Sequence, residues 1–378
     1  MSTPEREELL TRVASISTLL DETAPFSEKL RTLCPEAVAA LHEQGLFGLW
    51  TPIEAGGYDV DIATQLDVLI EVARADMSAC WTLMIGASSA AMLGAGLSEQ
   101  GLAQVFTGSK IPTSAASLRP AGKAQIVEGG MRVTGKWGFG SGIQHATWII
   151  ANCRVFEDGK PVENLPPRAA AVPIEQVDII DDWFVSGLRG SGSNSYSVDN
   201  VFVPDHLIVS VGQSHRGGAV ADNLRRRLPI EHAAVSLGGA RRALEEVVKQ
   251  AGAKHRLLDP HSVASKQAFQ LELGKLEAQW ETLYAGVRSV SNDLWHALKE
   301  HPESIAATAI RFAAICAYAT EKSLDIGNRA MRQAGAAAVL DSNVMQRIQR
   351  DLTVSAQHVM ISDANYENFG KSKLGLST

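Results

Sequence analysis

The hydrophobic period of this chain changes twice. Up to about residue 110 apolar residues recur at helical spacing. From 111 to about 209 they fall in short runs, several strictly alternating, cut by Pro166, Pro167, Pro173 and Pro204. Beyond about residue 220 the spacing is helical again. Short alternating runs bounded by Pro and Gly are strands, and with no helices between them they predict a small antiparallel barrel or sandwich. Four amphipathic segments follow, at 233–253, 263–298, 304–334 and 342–369, with breaks at Pro260, Pro302 and Gly335. Long helices with short connections form an antiparallel bundle. The expected fold is mainly α with a central β domain: an N-terminal helical domain over 1–110, the barrel or sandwich over 111–215, and a C-terminal four-helix bundle over 216–378.

Local signals sharpen this outline. Leu30, Cys34, Val38, Leu41 and Leu46 recur at roughly helical spacing; Pro35 is placed to start a helix after Cys34, and Gly45 to end one. Helices are predicted over 62–74 and 77–97, the second so apolar (Trp81, Met84, Ile85, Met92) that most of its circumference must be buried. Gly129-Gly130 between two alternating runs predicts a hairpin.

Composition removes several classes of function. A formal net charge of −7 argues against a nucleic-acid surface. The apolar stretches are broken by polar residues, so no membrane span is expected, and the acidic N-terminus does not read as a secretory signal. The four cysteines are far apart and form no CxxC, which predicts reduced, buried thiols of a cytoplasmic protein. The ten histidines show no metal-ligand spacing, so no metal site is predicted.

One stretch points to a ligand. The alternating run ending at Phe139 enters Gly140-Ser141-Gly142. Glycines let backbone approach a flat ligand, and a Ser between them can present its hydroxyl to it; a Gly-rich turn with no ligand uses the same residues.

The order of helices, strands and four-helix bundle, together with three stretches, resembles the acyl-CoA dehydrogenase superfamily of flavoproteins. The stretches are LFGLWTPIEAGGYDVD at 46–61, LRGSGSNSYSVDNVFVPDH at 188–206 and RQAGAAAVLDSNVMQRIQRDL at 332–352. The departures are as telling. Ser114-Ala115-Ala116-Ser117-Leu118-Arg119-Pro120-Ala121-Gly122 stands where a dehydrogenase carries a Thr-Glu-Pro-x-Ala-Gly-Ser-Asp-like stretch. Residues 254–259 replace its Arg-x-x-Phe-Gly, and 350–358, ending in Gln357-His358, replaces its Tyr-Glu-Gly-Thr. The Ser-Gly-Ile-x-His-Ala stretch and the C-terminal Gln-His resemble the two-component flavin-dependent monooxygenases that share the fold. That resemblance implies reduced flavin (FMN or FAD) from a separate NAD(P)H:flavin reductase, O2 as co-substrate, an aromatic or heteroaromatic small molecule as substrate, and a homotetramer.

Such an enzyme must keep the oxygenated flavin dry and hold the proton on a ring nitrogen, or it decays to hydrogen peroxide. Ser141 is the candidate hydroxyl. The resemblance places Trp137, Phe139, Ser141, Gly142, Ser114, Arg189, Ser191 and Arg350 by the cofactor, and Ser114, Ser117, Trp81, Ser88 and His358 by the substrate. Trp137 reads equally as a strand core residue, and Arg350 as a partner of Asp351. A histidine titrating near neutral pH suits acid–base chemistry. His358 is the candidate: on one continuous helix Asp351, Ser355 and His358 share a face, with Ser355 able to orient the imidazole. His145 reads rather as a packing residue. Gly86-Ala87-Ser88-Ser89-Ala90 stands where related hydroxylases carry a second histidine, which favours an indole, sulfur heterocycle, polyketide or amine over a phenol. Two other readings remain: an acyl-CoA dehydrogenase, whose base would come from Glu231, Glu272, Glu277 or Glu367, and a scaffold that has lost its cofactor.

Overall fold

A computed structural model of the chain describes residues 3–108, 110–255 and 260–377. Helices come first: α1 (Arg6–Leu30), α2 (Pro35–Glu43), α3 (Ile62–Ala75), α4 (Met77–Gly96) and α5 (Glu99–Val105). The strands are β1 (Ser114–Ala116), β2 (Gly122–Val127), β3 (Gly130–Gly140), β4 (Trp148–Glu157), β5 (Lys160–Pro161), β6 (Arg168–Pro173), β7 (Asp178–Ile180), β8 (Asn194–Pro204) and β9 (Ile208–Val209). Two short helices, α6 (Gly218–Asp222) and α7 (Leu224–Arg227), lead into α8 (Pro229–Ala251), α9 (Gln267–Glu300), α10 (Ile305–Ala334), α11 (Val344–Ser355) and α12 (Ala364–Lys373).

The chain folds as two compact units. The first holds Met1–Val60, Trp81–Val185 and Arg189–Arg225; the second holds Asp61–Cys80, Ser186–Leu188 and Arg226–Thr378. In the first, the strands form one sheet in the order β7-β8-β3-β2-β4-β6-β9, with β1 and β5 also paired to β4. The hairpin forms as expected, Val127 opposite Gly130, with Gly129 at φ 75° in the turn. The sheet is mixed rather than purely antiparallel, because β1 and β2 both run parallel to β4. Its core stacks Trp137 on Tyr196 and packs them with Ile149, Ile150, Cys153 and Val172.

In the second unit α8 packs against α3, α9, α10 and α11. Asp61 caps α3, accepting the Thr64 N–H at 2.9 Å. All of α4 but Ile85 is buried. Contrary to the reading of broken apolar runs, α4 has the length and composition of a membrane span, with mean hydropathy 1.3; 94% of that window lies inside the protein, as expected of a core helix.

The helix expected to start at Pro35 does so: Arg31, at a left-handed φ of 57°, ends α1, and Cys34 is the N-cap of α2. Another expected helix is interrupted. The run expected over 342–369 ends at Ser355. After the C-cap Ala356 the backbone turns extended at His358 (φ −74°, ψ 140°), a short turn follows over Val359–Ile361, and α12 is separate.

Candidate functional site

In the first unit the sheet delivers β3 into a tight turn. Phe139 and Gly142 take left-handed φ values of 63° and 71°, a strained state for the first and an ordinary one for the second. The Ser141 N–H bonds Phe139 O at 3.0 Å, and the Gly142 N–H bonds Ser191 O at 2.8 Å. The turn is thereby locked to the Ser-rich segment that precedes β8.

The Ser141 hydroxyl is buried and engaged on two sides. It accepts the Trp81 indole N–H at 3.0 Å and lies 2.7 Å from Ser193 Oγ, itself 2.8 Å from Ser191 Oγ. An indole N–H only donates, while each hydroxyl has one proton and two lone pairs. If Ser193 donates to Ser141, both lone pairs of Ser141 are filled and its proton is left for a further acceptor; if Ser141 donates to Ser193, one lone pair is left for a further donor. Ser193 was not singled out in the sequence, although the alternation of serines in Ser191-Gly192-Ser193 signals it. Trp81 holds Ser141 in place, and its N–H bonds this hydroxyl.

The other predicted residues of this unit divide. Ser114 Oγ is buried with no hydrogen-bond partner among the described residues, which suits a ligand contact. Phe139 is 75% exposed and packs edge-on to Trp183. Trp137, by contrast, is 1% exposed with its N–H on Asn152 O at 2.9 Å, so it is core and has no face open to a flavin. Ser88 bonds the carbonyl of Ile85 in its own helix. The Ser117 carbonyl accepts from the Asn152 amide at 2.6 Å. Arg189 donates to Val185 O at 2.8 Å and lies 3.7 Å from Glu28. Ser191 is drawn into the serine chain. His145 is half-buried, 2.9 Å from Thr32 Oγ1, and burial holds its pKa down; this accords with packing.

In the second unit, the end of α11 departs from expectation. Ser355 does not orient His358; its hydroxyl meets Ser236 Oγ at 3.2 Å and Leu352 O at 3.0 Å. The His358 ring, beyond the end of α11, accepts the Met360 N–H on Nδ1 at 3.3 Å and stacks on His232 with centroids 4.0 Å apart. Burial pushes the His358 pKa down to about 4. It therefore does not titrate near neutrality in the ligand-free chain; it is neutral there, with Nδ1 taken by Met360 and the proton on Nε2, so it can donate a hydrogen bond. His232, 1% exposed on α8, is also held neutral, by burial and by His358. The helix was expected to begin at Ala233, one residue later, which is why His232 was missed.

Asp351 is 3% exposed and accepts the Leu188 N–H at 2.6 Å. Burial, opposed by that bond and reinforced by Asp76, pushes its carboxyl up to about 7. Arg350 donates to Ser186 O and to Gln346, each at 2.8 Å. Gly187 permits this closeness, since a Cβ there would lie 2.2 Å from Arg350 O. These bonds tie residues 186–188 to α11. Of the candidate bases, Glu272 pairs with Arg329, Glu277 with Arg241 and Glu367 with Lys371, while Glu231 is 2% exposed at the start of α8. Of residues 254–259, only Lys254 and His255 lie within the described part. Among the described residues no cluster of potential ligands could hold a metal.

Two family models match in the order the fold presents them: the acyl-CoA dehydrogenase N-terminal domain over residues 3–101 and the acyl-CoA dehydrogenase C-terminal domain over residues 230–363. The chain belongs to the acyl-CoA dehydrogenase superfamily. A pigment production hydroxylase from Rhodococcus is 27% identical over 98% of this chain and 97% of its own length. The oxygenase subunit HsaA of a flavin-dependent monooxygenase from Mycobacterium tuberculosis is 28% identical over 100% of this chain and 98% of its own. Among solved structures, XiaF from Streptomyces, in complex with FADH2 and glycerol, superposes with a TM-score of 0.87 over 98% of this chain and 96% of that one, at 24% identity.

Proposed function

We propose that this chain is the oxygenase component of a two-component flavin-dependent monooxygenase. It hydroxylates an aromatic or heteroaromatic small molecule, using O2 and reduced flavin from a separate NAD(P)H:flavin reductase. Relatives along its whole length carry hydroxylase and oxygenase names, and the observation that carries the reading is the Ser141 hydroxyl, buried and held between the Trp81 N–H and Ser193.

The Ser141 turn suits a flat heteroaromatic ring. Gly142 leaves the turn without a Cβ, Ser141 places a buried hydroxyl there, and the buried Ser114 hydroxyl has no partner among the described residues. Bound reduced flavin supplies the two electrons and the ring carbon that reacts with O2. With the Trp81 N–H on one lone pair and its own proton on Ser193 Oγ, Ser141 Oγ would accept the ring N–H on its other lone pair and would keep that proton from exchanging with water. Burial of Trp81, Ser191 and Ser193 keeps water from this hydroxyl. Neutral His358, with Nδ1 taken by the Met360 N–H and its proton on Nε2, would donate a hydrogen bond to a polar group of the substrate. These contacts address the ring common to FMN and FAD. The resemblance supports a homotetramer, and four free, buried cysteines support a reducing, cytoplasmic setting.

An oxygenase supplied by a reductase must take reduced flavin and release the oxidised form. Anaerobic titration with dithionite-reduced FMN and FAD is expected to show tighter binding than titration with the oxidised forms. Oxidised FAD that binds more tightly than reduced and stays through gel filtration would instead mark a dehydrogenase.

A further inference from the structure

Thr82 follows Trp81 on α4 and is 4% exposed. Its methyl group lies against the turn: a Cβ placed on Gly142 would stand 2.9 Å from Thr82 Cγ2. Its hydroxyl is enclosed and has no hydrogen-bond partner among the described residues. Five other helix threonines behave differently. Thr11, Thr23, Thr282, Thr320 and Thr353 all return their hydroxyls to the carbonyl one turn back, the usual local solution.

A second unsatisfied hydroxyl flanks the same turn. Ser114 Oγ, on β1, is 3% exposed and also without a partner. Its neighbour Thr113 latches the residues that follow Gly142, donating to His145 O at 2.6 Å and accepting the Thr147 N–H at 2.9 Å. Buried hydroxyls left unbonded are few in folded proteins and cost stability. Two of them on separate elements beside one turn mark a place where a ligand completes the hydrogen bonding.

We infer that the Thr82 hydroxyl is a flavin contact, bonding the polar edge of the ring that the Ser141 turn receives. The inference rests on the flavin reading above. It makes α4 contribute twice to the site: Trp81 orients Ser141, and Thr82 meets the ring. Its methyl group fills the space against Gly142, so that space is not open to a bulkier residue.

The test separates the hydroxyl from the shape. Thr82→Val keeps the branched shape and removes the oxygen; Thr82→Ser keeps the oxygen. Ligand-free melting temperatures and anaerobic Kd values for reduced FMN are measured for both and for the wild type. Thr82→Val is expected to melt at or above the wild type without ligand, because an unsatisfied polar atom is gone. It is also expected to bind reduced FMN about tenfold more weakly, the loss of one hydrogen bond, while Thr82→Ser binds as the wild type does. Wild-type affinity in Thr82→Val overturns the assignment, and so does a lowered melting temperature with no ligand, which means the hydroxyl is satisfied within the free protein. Where the wild type binds only reduced FAD the comparison is made with FAD; a wild-type chain that binds neither reduced flavin overturns the flavin reading and this assignment with it.

Discussion

Ser141 matters for the direction of its hydrogen bonds more than for their number. Trp81 can only donate to it, so the hydroxyl is held as an acceptor from one side whatever the serine chain does. Ser141→Ala removes the last hydroxyl of that chain and leaves the Trp81 N–H and the Ser193 hydroxyl facing a methyl group. Losing one hydrogen bond of about 1–3 kcal/mol corresponds to roughly ten- to a hundredfold in rate. The expected outcome is a folded protein in which hydroxylated product falls by that factor and hydrogen peroxide per flavin oxidised rises to match. Unchanged coupling between flavin oxidation and product would remove Ser141 from the chemistry. The sequence showed Ser141 because glycines flank it. Ser193 was marked only by the alternation of serines, and Thr82 left no mark, since its place at the turn depends on how α4 packs beside β3.

At the scale of elements, the end of α11 decides what His358 can do. On an unbroken helix the imidazole would share a stripe with Asp351 and Ser355. The break at Ala356 instead sets it as the cap of the next turn, against His232 of α8. Periodicity made the long helices legible because a buried stripe repeats over many turns. It could not show this break, because one extended residue after a C-cap leaves the apolar pattern almost intact. The same limit applies to Trp137: an alternating strand says which residues face inward, and only the sheet's register shows that the inward space is filled by Tyr196. His358→Asn keeps an acceptor for the Met360 N–H and removes the Nε2 donor. Losing one hydrogen bond of about 1–3 kcal/mol corresponds to roughly ten- to a hundredfold in rate. The variant is expected to bind reduced flavin as the wild type does while product formation falls within that range. Product at the wild-type rate would remove His358 from the chemistry.

For the whole molecule, the buried ionisable groups of the helical unit set how stability responds to pH. His232 and His358 have folded pKa values below the ordinary histidine range, the second at about 4. As pH falls through the ordinary histidine range, about 6.5, towards 4, the unfolded chain takes up these protons and the folded chain does not, so stability is lost. Asp351 acts in the opposite sense. Its folded pKa is raised to about 7 from an ordinary 3.8, so over the same range the folded chain binds a proton that the unfolded chain lacks, and stability is gained on acidification. Two histidines against one carboxyl leave a net loss as pH falls. Paired carboxylates such as the exposed Asp181 and the half-buried Glu272 are held below their ordinary ranges and add their effect beneath this window. Asp351→Asn keeps an oxygen to accept the Leu188 N–H and removes the titration. The variant is expected to lose stability more steeply than the wild type between pH 7 and 4. Relative to wild type it gains most at pH 8, where the wild type holds a buried charge, and the difference between the two shrinks by up to roughly 4 kcal/mol on going to pH 4. Urea unfolding at pH 4, 6 and 8 measures it. Parallel curves for the two proteins would mean that Asp351 is ionised throughout, held by its cationic neighbours Arg347 and Arg350 against the cost of burial.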